Sequence, residues 1–411
     1  MIEWSEQHKA VQQMVRRFVQ EEIKPRLEEL EHGDTPPYDV LRKMMKTFGM
    51  GEMRKASFDS QIAREREALA KGEPAPSRQS ESRGDRGDAM AMQMIPTIEL
   101  CRYCPGMVTA MGVSVGLTVG TIMSRGSLAQ KERFVPALLT MEKIGAWAIT
   151  EPGSGSDAFG SMQSSARRDG QGGYVLNGQK TFITNGPYAD TIVFICKLDE
   201  GNPPAERRVV SFILDKGTPG LIQSKPLRKM GQHSSPTGEL FLEDVHVGAD
   251  RLLGESEDRS YRDGAKDTFS SERTGVAAMA LGIVSQCLEL SIEYAKNRVQ
   301  FGKPIGEFQL IQLKLAKMEV ARMNIQNIVF RQIELASHGK GMSFAEASAA
   351  KLYSAQATME VALEAVQLFG GNGYMAEFQV EQLCRDAKVL QIYAGTDEIQ
   401  VSQIARDLLR P

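Results

Sequence analysis

An α+β chain of several packed units is what this sequence predicts, on three observations. Its 411 residues, 42% hydrophobic and 25% charged, exceed what one simple core holds. Apolar residues recur at three- and four-residue steps in the first and last thirds. Between them the period shortens, and β-rich runs alternate with Gly, Pro and Asn turn signals. The expected layout is an N-terminal helical domain over 1–145, a middle antiparallel β domain over 146–262, and a C-terminal four-helix bundle over 263–411.

The first helical segment runs from Trp4 to Glu29, with Val11, Met14, Val15, Phe18 and Val19 on its stripe. Pro36-Pro37 opens a second helix through Val40, Leu41, Met44, Met45 and Phe48, stopped at Gly49. Residues 61–90 carry Arg-Glu-Arg-Glu, Lys-Gly-Glu-Pro-Ala-Pro and Arg-Gly-Asp-Arg-Gly-Asp. So polar a stretch offers little apolar surface to offset ordering, and predicts an exposed loop or flexible insert. Its Arg83-Gly84-Asp85 is a chance match to an adhesion tripeptide. From Ile95 to Met123 an apolar, Gly-punctuated stretch predicts two buried helices.

Strands are expected at Tyr174–Leu176, Thr191–Ile195, Val209–Leu214 and Leu240–Leu242. Asn177-Gly178, Asn185-Gly186-Pro187, Thr218-Pro219-Gly220 and Pro236-Thr237-Gly238 read as the turns between them. Beyond 263 two stripes predict bundle core: Ile311, Leu315, Met318, Ile325, Val329, and Ala349, Leu352, Ala355, Met359, Ala362, Val366. Many apolar residues off those stripes point to burial against another subunit.

A net charge of −3 and a pI of about 6.1 give neither a nucleic-acid nor an anionic-membrane footprint. No uninterrupted apolar run reaches the ~18 residues of a membrane span. The polar, acidic start Met1-Ile2-Glu3-Trp4-Ser5-Glu6 is neither a secretory signal nor a transit peptide, so a cytoplasmic protein is expected. Cysteines 101, 104, 196, 287 and 384 are scattered, which fits a reducing compartment. Cys101-Arg-Tyr-Cys104 has metal-ligand spacing but no second pair or His cluster, so buried thiols and no metal are expected.

Five motifs carry chemistry: Thr150-Glu-Pro-Gly-Ser-Gly-Ser-Asp157, Asn177-Gly-Gln-Lys-Thr-Phe-Ile-Thr184-Asn-Gly, Arg298-Val-Gln-Phe-Gly-Lys303, Gln367-Leu-Phe-Gly-Gly-Asn-Gly373 and Arg385-Asp-Ala-Lys388. Alone, the first is an ordinary solvated turn whose Gly and Ser let backbone N–H groups near a ligand. Arg298 alone is either a helix C-terminal cation or a fork for a diphosphate. Gly370-Gly371-Asn372-Gly373 follows no strand, so it is not a dinucleotide fingerprint.

In this order the motifs resemble those of the acyl-CoA dehydrogenases, flavoproteins that desaturate acyl thioesters. The likeness runs from about Glu99 to Arg410, with a weaker match over the first fifty residues. It implies FAD, with Trp147, Ile149 and Thr150 against the flavin and Ser156 on the CoA side. It sets Phe182-Ile183-Thr184 at the isoalloxazine, the Thr184 hydroxyl on flavin N5. Arg298, Phe301, Gln367, Gly370 and Gly371 would bind the FAD of a neighbouring subunit, which implies an obligate oligomer, in this family usually a homotetramer. Thr396 and Glu398 would also meet the cofactor; a Gln often stands at 398.

Most of the family reads Tyr-Glu-Gly-Thr where this chain has Tyr393-Ala394-Gly395-Thr396. That Glu removes the substrate α-proton while the β-hydride goes to flavin. Ala394 keeps the backbone N–H expected on the thioester carbonyl and loses the carboxylate. Isovaleryl-CoA and long-chain members lose it too, and carry a Glu at the start of the first C-terminal bundle helix, just before an Arg. Here that is Glu272, followed by Arg273. Taken alone, Glu272 is a first-turn acid favoured by the helix dipole; beside Ala394, the base is the better reading. Tyr393, Ala394, Gly395 and Arg273 would line the thioester site, and Gly112 the pocket floor, where many members have a larger side chain. A Pro-x-x-x-Gly-Gly-x-Gly loop common in the family is replaced by the 61–90 insert.

The expected activity is FAD-dependent α,β-dehydrogenation of an acyl-CoA, with an electron-transferring flavoprotein as acceptor and a branched, cyclic or long acyl group. An acyl-CoA oxidase and a non-catalytic acyl-CoA-binding subunit are the alternatives.

Overall fold

The structure is a computed structural model that describes residues 3–33, 35–73, 83–257 and 261–410, with backbone alone at 83–85 and 261–271. The remainder of the insert, 74–82, and residues 258–260 beside the second domain boundary lie outside the described residues.

Among the described residues, eight α-helices come first: α1 (Glu6–Phe18), α2 (Leu27–His32), α3 (Tyr38–Thr47), α4 (Met50–Ala70), α5 (Arg83–Cys101), α6 (Pro105–Met111), α7 (Val119–Arg125) and α8 (Leu128–Leu139). Ser5 and Ser127 cap α1 and α8 by accepting from the backbone N–H three residues on, which satisfies donors the helix cannot. Gly49 joins α3 to α4 in the left-handed conformation, φ 59°. A π-helical segment, Gly112–Thr118, links α6 to α7.

The insert is not a loop over its described part. Phe58, Ile62, Glu65 and Ala68 recur at helical spacing on one buried face of α4. Phe58 and Ile62 share a core cluster with Val135 and Leu138 of α8, and Lys131 Nζ meets Glu65 Oε1 at 2.6 Å. Charged composition surrounds that stripe without erasing it.

Seven strands follow: β1 (Gly145–Ala148), β2 (Ser165–Arg168), β3 (Gly173–Thr184), β4 (Thr191–Leu198), β5 (Val209–Asp215), β6 (Leu221–Gln223) and β7 (Thr237–Gly248). The sheet is mixed, a correction to the antiparallel expectation: β1 and β2 both pair parallel with β4, while the β2–β3, β3–β7, β4–β5 and β6–β7 pairs are antiparallel. Every residue of β4 is buried because the sheet is covered on both sides. Ile192, Phe194 and Cys196 face the β interior, and Val193 and Ile195 the cluster shared with α4, α7 and α8. Asn177-Gly178 is no turn but a bulge inside β3, where a Cβ on Gly178 would lie 2.2 Å from Ser164 Oγ.

The last part holds α9 (Tyr261–Asn297), α10 (Gln309–Ser337), α11 (Phe344–Phe369), α12 (Val380–Lys388) and α13 (Asp397–Leu408), with a small hairpin, β8 (Val299–Gln300) and β9 (Lys303–Pro304), after α9. The α10 stripe is buried from Met318 through Ile325 to Val329. On α11 the buried face is turned from the expected one: Ala355 and Ala362 are buried, Ala349 is exposed, and Ala347, Ser354, Thr358 and Val361 join the core. Small polar residues pack there as readily as the larger apolar ones, because they let helix backbones approach closely.

Two helical stretches, Pro105–Arg125 and Glu272–Asn297, do have the length and apolarity of membrane spans. Most of each is buried within the fold, which is the place of a core helix.

Candidate active site

The residues expected at the flavin lie on β1, on the segment just after it and at the end of β3. Thr181 N–H donates to Thr150 O at 2.9 Å, so the segment after β1 runs beside the end of β3. Lys180 Nζ, fully buried, bonds Ile149 O at 2.9 Å and Glu151 Oε1 at 2.8 Å. The Glu151 carboxylate also accepts the N–H groups of Gln163 and Ser164. Burial opposes the Glu151 charge, but Lys180 and those donors outweigh it and hold the carboxyl below its usual range; burial lowers Lys180. The pair fixes the loop that bears Ile149 and Thr150.

Trp147 and Ile149 are buried, Thr150 half-buried. Phe182 projects outward with 68% of its surface exposed and φ 57°, between buried Thr181 and Ile183. A non-glycine residue held in that region stores strain, which clusters at ligand sites. Asn185, at φ 64° and fully buried, fixes this end of β3. Its Nδ2 donates to Ala110 O and Gly145 O, both at 2.9 Å, and its Oδ1 accepts from Tyr38 at 3.0 Å.

The second constellation surrounds Glu272. This residue is not at a helix start, as expected, but well inside α9, which begins at Tyr261. The helix-dipole account therefore falls away. Burial pushes the Glu272 carboxyl up to about 7, against the pull of Arg273 and Lys351. Arg273 Nε reaches Ala394 O at 3.4 Å, its Nη1 bonds Ser348 Oγ at 3.0 Å, and its guanidinium lies 4.1 Å from the Phe344 ring centroid. Gln400 Nε2 donates to Ala394 O and Gly395 O at 3.0 and 2.8 Å. Ala394 has φ 54° and Gly395 φ 87°, a left-handed turn held from both sides. The Tyr393 hydroxyl meets Met279 Sδ at 3.3 Å.

A carboxyl near 7 predicts a pH dependence. The folded chain binds this proton more tightly than the unfolded one, so the associated stability is present below about pH 4.5 and lost as pH rises through about 7. Activity runs the other way, since a base must be unprotonated. The kcat/KM of the free enzyme should climb with pH and level off above about pH 7. A profile flat from pH 5 to 8 would remove a Glu272 titration from the rate.

A third constellation is a groove of about 890 Å³ at one end of the bundle. Arg298, Phe301, Gly370 and Gly371 all line it, with Tyr294 and Phe369, and no residue of the seven-stranded sheet does. Phe301 is 93% exposed at φ 50°, on the tip between β8 and β9. Gly370 has φ 61°, and no heavy atom lies within 4 Å of where a Cβ on Gly370 or Gly371 would sit. This open backbone beside a guanidinium suits a diphosphate and its nucleoside, so the residues present fit FAD.

Other expected residues are more scattered. Ser156 stands exposed two residues past the tight turn closed by the Glu151–Ser154 backbone pair. Gln367 is exposed on the last turn of α11. The Thr396 hydroxyl caps α13 by accepting from Ile399 N–H, and Glu398, exposed in that first turn, is held below its usual range by backbone and the Thr396 hydroxyl. Gly112 is exposed, with open space where a Cβ would stand. Cys101 and Cys104 are buried thiols, both pushed well up by burial. Sequence reasoning missed the Lys180–Glu151 pair and Asn185, although both lie inside quoted motifs.

The family descriptions "Acyl-CoA dehydrogenase, N-terminal domain", "middle domain" and "C-terminal domain" match residues 5–54 with 51–142, 146–245 and 263–409. The chain is 40% identical over 327 residues to "Acyl-CoA dehydrogenase, short-chain specific" of Megasphaera elsdenii, covering 80% of this chain and 84% of that one. It is 34% identical over 397 residues to "Isovaleryl-CoA dehydrogenase, mitochondrial" of Oryza sativa subsp. japonica, covering 96% and 90%. The solved butyryl-CoA dehydrogenase of Megasphaera elsdenii superposes over 100% of both chains with TM-score 0.82 and 32% identity. The chain belongs to the acyl-CoA dehydrogenases, oxidoreductases that depend on FAD.

Proposed function

We propose that this enzyme desaturates an acyl-CoA between its α- and β-carbons with Glu272 as the base, and passes the electrons to an electron-transferring flavoprotein. The observation that carries the reading is the Arg273 bridge. The residue after the carboxylate grips the carbonyl of Ala394, so base and thioester turn belong to one cluster. With the Ala394 and Gly395 carbonyls held by Arg273 and Gln400, the turn offers its N–H at 394 to the thioester oxygen. A donor there stabilises the enolate as the α-proton moves to a Glu272 oxygen. The half-buried setting keeps that carboxyl basic near neutral pH. Bound FAD supplies the acceptor for the β-hydride. Trp147, Thr150, Phe182 and Thr184 would hold its flavin ring, and Arg298, Gln367, Gly370 and Gly371 the adenosine diphosphate part of a neighbouring subunit's FAD. The open space at Gly112 supports a branched, cyclic or long acyl group.

Anaerobic mixing with a panel of acyl-CoAs tests this: the yellow protein should bleach with at least one. Rapid recolouring in air would favour an oxidase, and no bleaching with any thioester a non-catalytic binding subunit.

Exposed apolar side chains on the outer bundle helices support a homotetramer: Leu310, Leu313, Val320 and Met323 on α10, and Leu363 on α11. Since one diphosphate would bridge two subunits, Arg298→Ala should lower FAD retention and tetramer stability together, because ligand and assembly are linked. Flavin content and sedimentation, measured on the same preparation, check it. A colourless protein with an unshaken tetramer would contradict the shared site.

A further inference from the structure

One turn of α11 anchors the 393–395 turn from both sides. Ser348 and Lys351 stand three residues apart, on one face of that helix, and both are fully buried. Ser348 Oγ accepts from Arg273 Nη1 at 3.0 Å, and Arg273 grips the Ala394 carbonyl. Lys351 Nζ meets Asp397 Oδ1 at 3.1 Å, where the chain leaves the turn and enters α13. The other Asp397 oxygen accepts from Gln391 Nε2 at 3.2 Å, where the chain comes in. Residues 392–396 thus form a loop closed at its neck by one carboxylate, and that carboxylate rests on a buried ammonium. The amide that holds the Ala394 and Gly395 carbonyls belongs to Gln400, three residues on from Asp397 and fully buried. It packs so closely that a Cβ on Gly395 would lie 2.8 Å from its nitrogen.

We infer that Lys351 is a positioning residue for the thioester turn, acting through Asp397. The inference rests on reading residues 393–395 as that turn. A desolvated ammonium is costly unless a carboxylate answers it, so Lys351 fixes where Asp397 stands. Asp397 in turn fixes the start of α13, and with it the Gln400 amide that holds both carbonyls. The helix dipole accounts for an acid in the first turn of α13, and does not account for a cation buried on α11 to meet it.

Lys351→Met keeps a long, unbranched side chain in a buried setting and removes the ammonium. In the holoenzyme, amide exchange of residues 392–396 should rise about tenfold, the worth of one charged hydrogen bond, while α9 and α12 stay unchanged. Gln391→Leu opens the neck from the other side, should move the same amides, and stands in if Lys351→Met does not fold. Combining Lys351→Met with Asp397→Ala should raise exchange no further than the larger single change. The chemical readout is the thioester carbonyl band in the infrared spectrum of the bound enoyl-CoA product, for whichever acyl-CoA of the panel bleaches the flavin. Lys351→Met should move that band to higher frequency, since a displaced N–H at 394 polarises the carbonyl less, and kcat/KM should fall about tenfold. Exchange left unchanged at 392–396, or raised equally along all of α11 and α13, would overturn the inference, as would additive effects of the two substitutions. Raised exchange with an unmoved carbonyl band would keep Lys351 as the anchor of the loop and sink the thioester reading of the turn.

Discussion

Glu272→Gln leaves a folded, yellow protein whose reductive half-reaction is roughly 10²–10⁴-fold slower, the usual worth of a general base. The change removes a charge and almost no volume. Its structural cost is small because burial already disfavours the ionised form, which lifts the carboxyl to about 7. Arg273 keeps Ser348 and the Ala394 carbonyl, so the turn stays in place. Stability at pH 8 should hold or rise, since an ionised, desolvated group has been replaced by a neutral one. Stopped-flow bleaching and a thermal melt on the same samples separate the two effects. A rate within a few-fold of the parent would take Glu272 out of the mechanism.

Moving the carboxylate across the cluster should return part of what its loss removes. Glu272→Ala is expected to be nearly inactive, and adding Ala394→Glu should recover at least about tenfold, because proton transfer needs a carboxylate within reach and not a particular backbone origin. The backbone at 394 already holds φ 54°, at which Glu is no more strained than Ala. The acyl preference should shift too, since a Glu side chain fills space that Ala leaves open. Ala394→Glu alone, with both carboxylates, should stay active with an altered pH profile. If the double variant still binds acyl-CoA and FAD but is as slow as Glu272→Ala, the two positions do not face the same α-carbon.

Much of this was legible in the residues. Helical stripes such as Met318–Ile325–Val329 and the apolar run of β4 place the helical and β parts, because burial selects those periods directly. Arg298, Phe301, Gly370 and Gly371 belong to motifs that begin 69 residues apart and line one groove, as residues meeting one cofactor would. What stayed hidden depends on distant partners. The parallel edges of β4 join strands with no shared turn, and nothing local in Gly145–Ala148 announces them. Lys180 and Glu151 neutralise each other across 29 residues. The α4 stripe was masked by its own solvent face, where charge says nothing of the opposite side.

The Arg273 guanidinium on the Ala394 carbonyl also bears on how such enzymes change over generations. Arg273 follows one candidate carboxylate position in sequence and grips the backbone of the other. A chain that acquires an acid at the second place before losing the first holds two like charges beside one fixed cation, and they can share a proton rather than repel each other out of the fold. With Glu272 as the base, two successive substitutions that add the acid at 394 before removing it at 272 would keep a carboxylate at the cluster throughout. The arginine is the fixed point of that exchange, and the acyl cavity can be resculpted on whichever side the acid vacates.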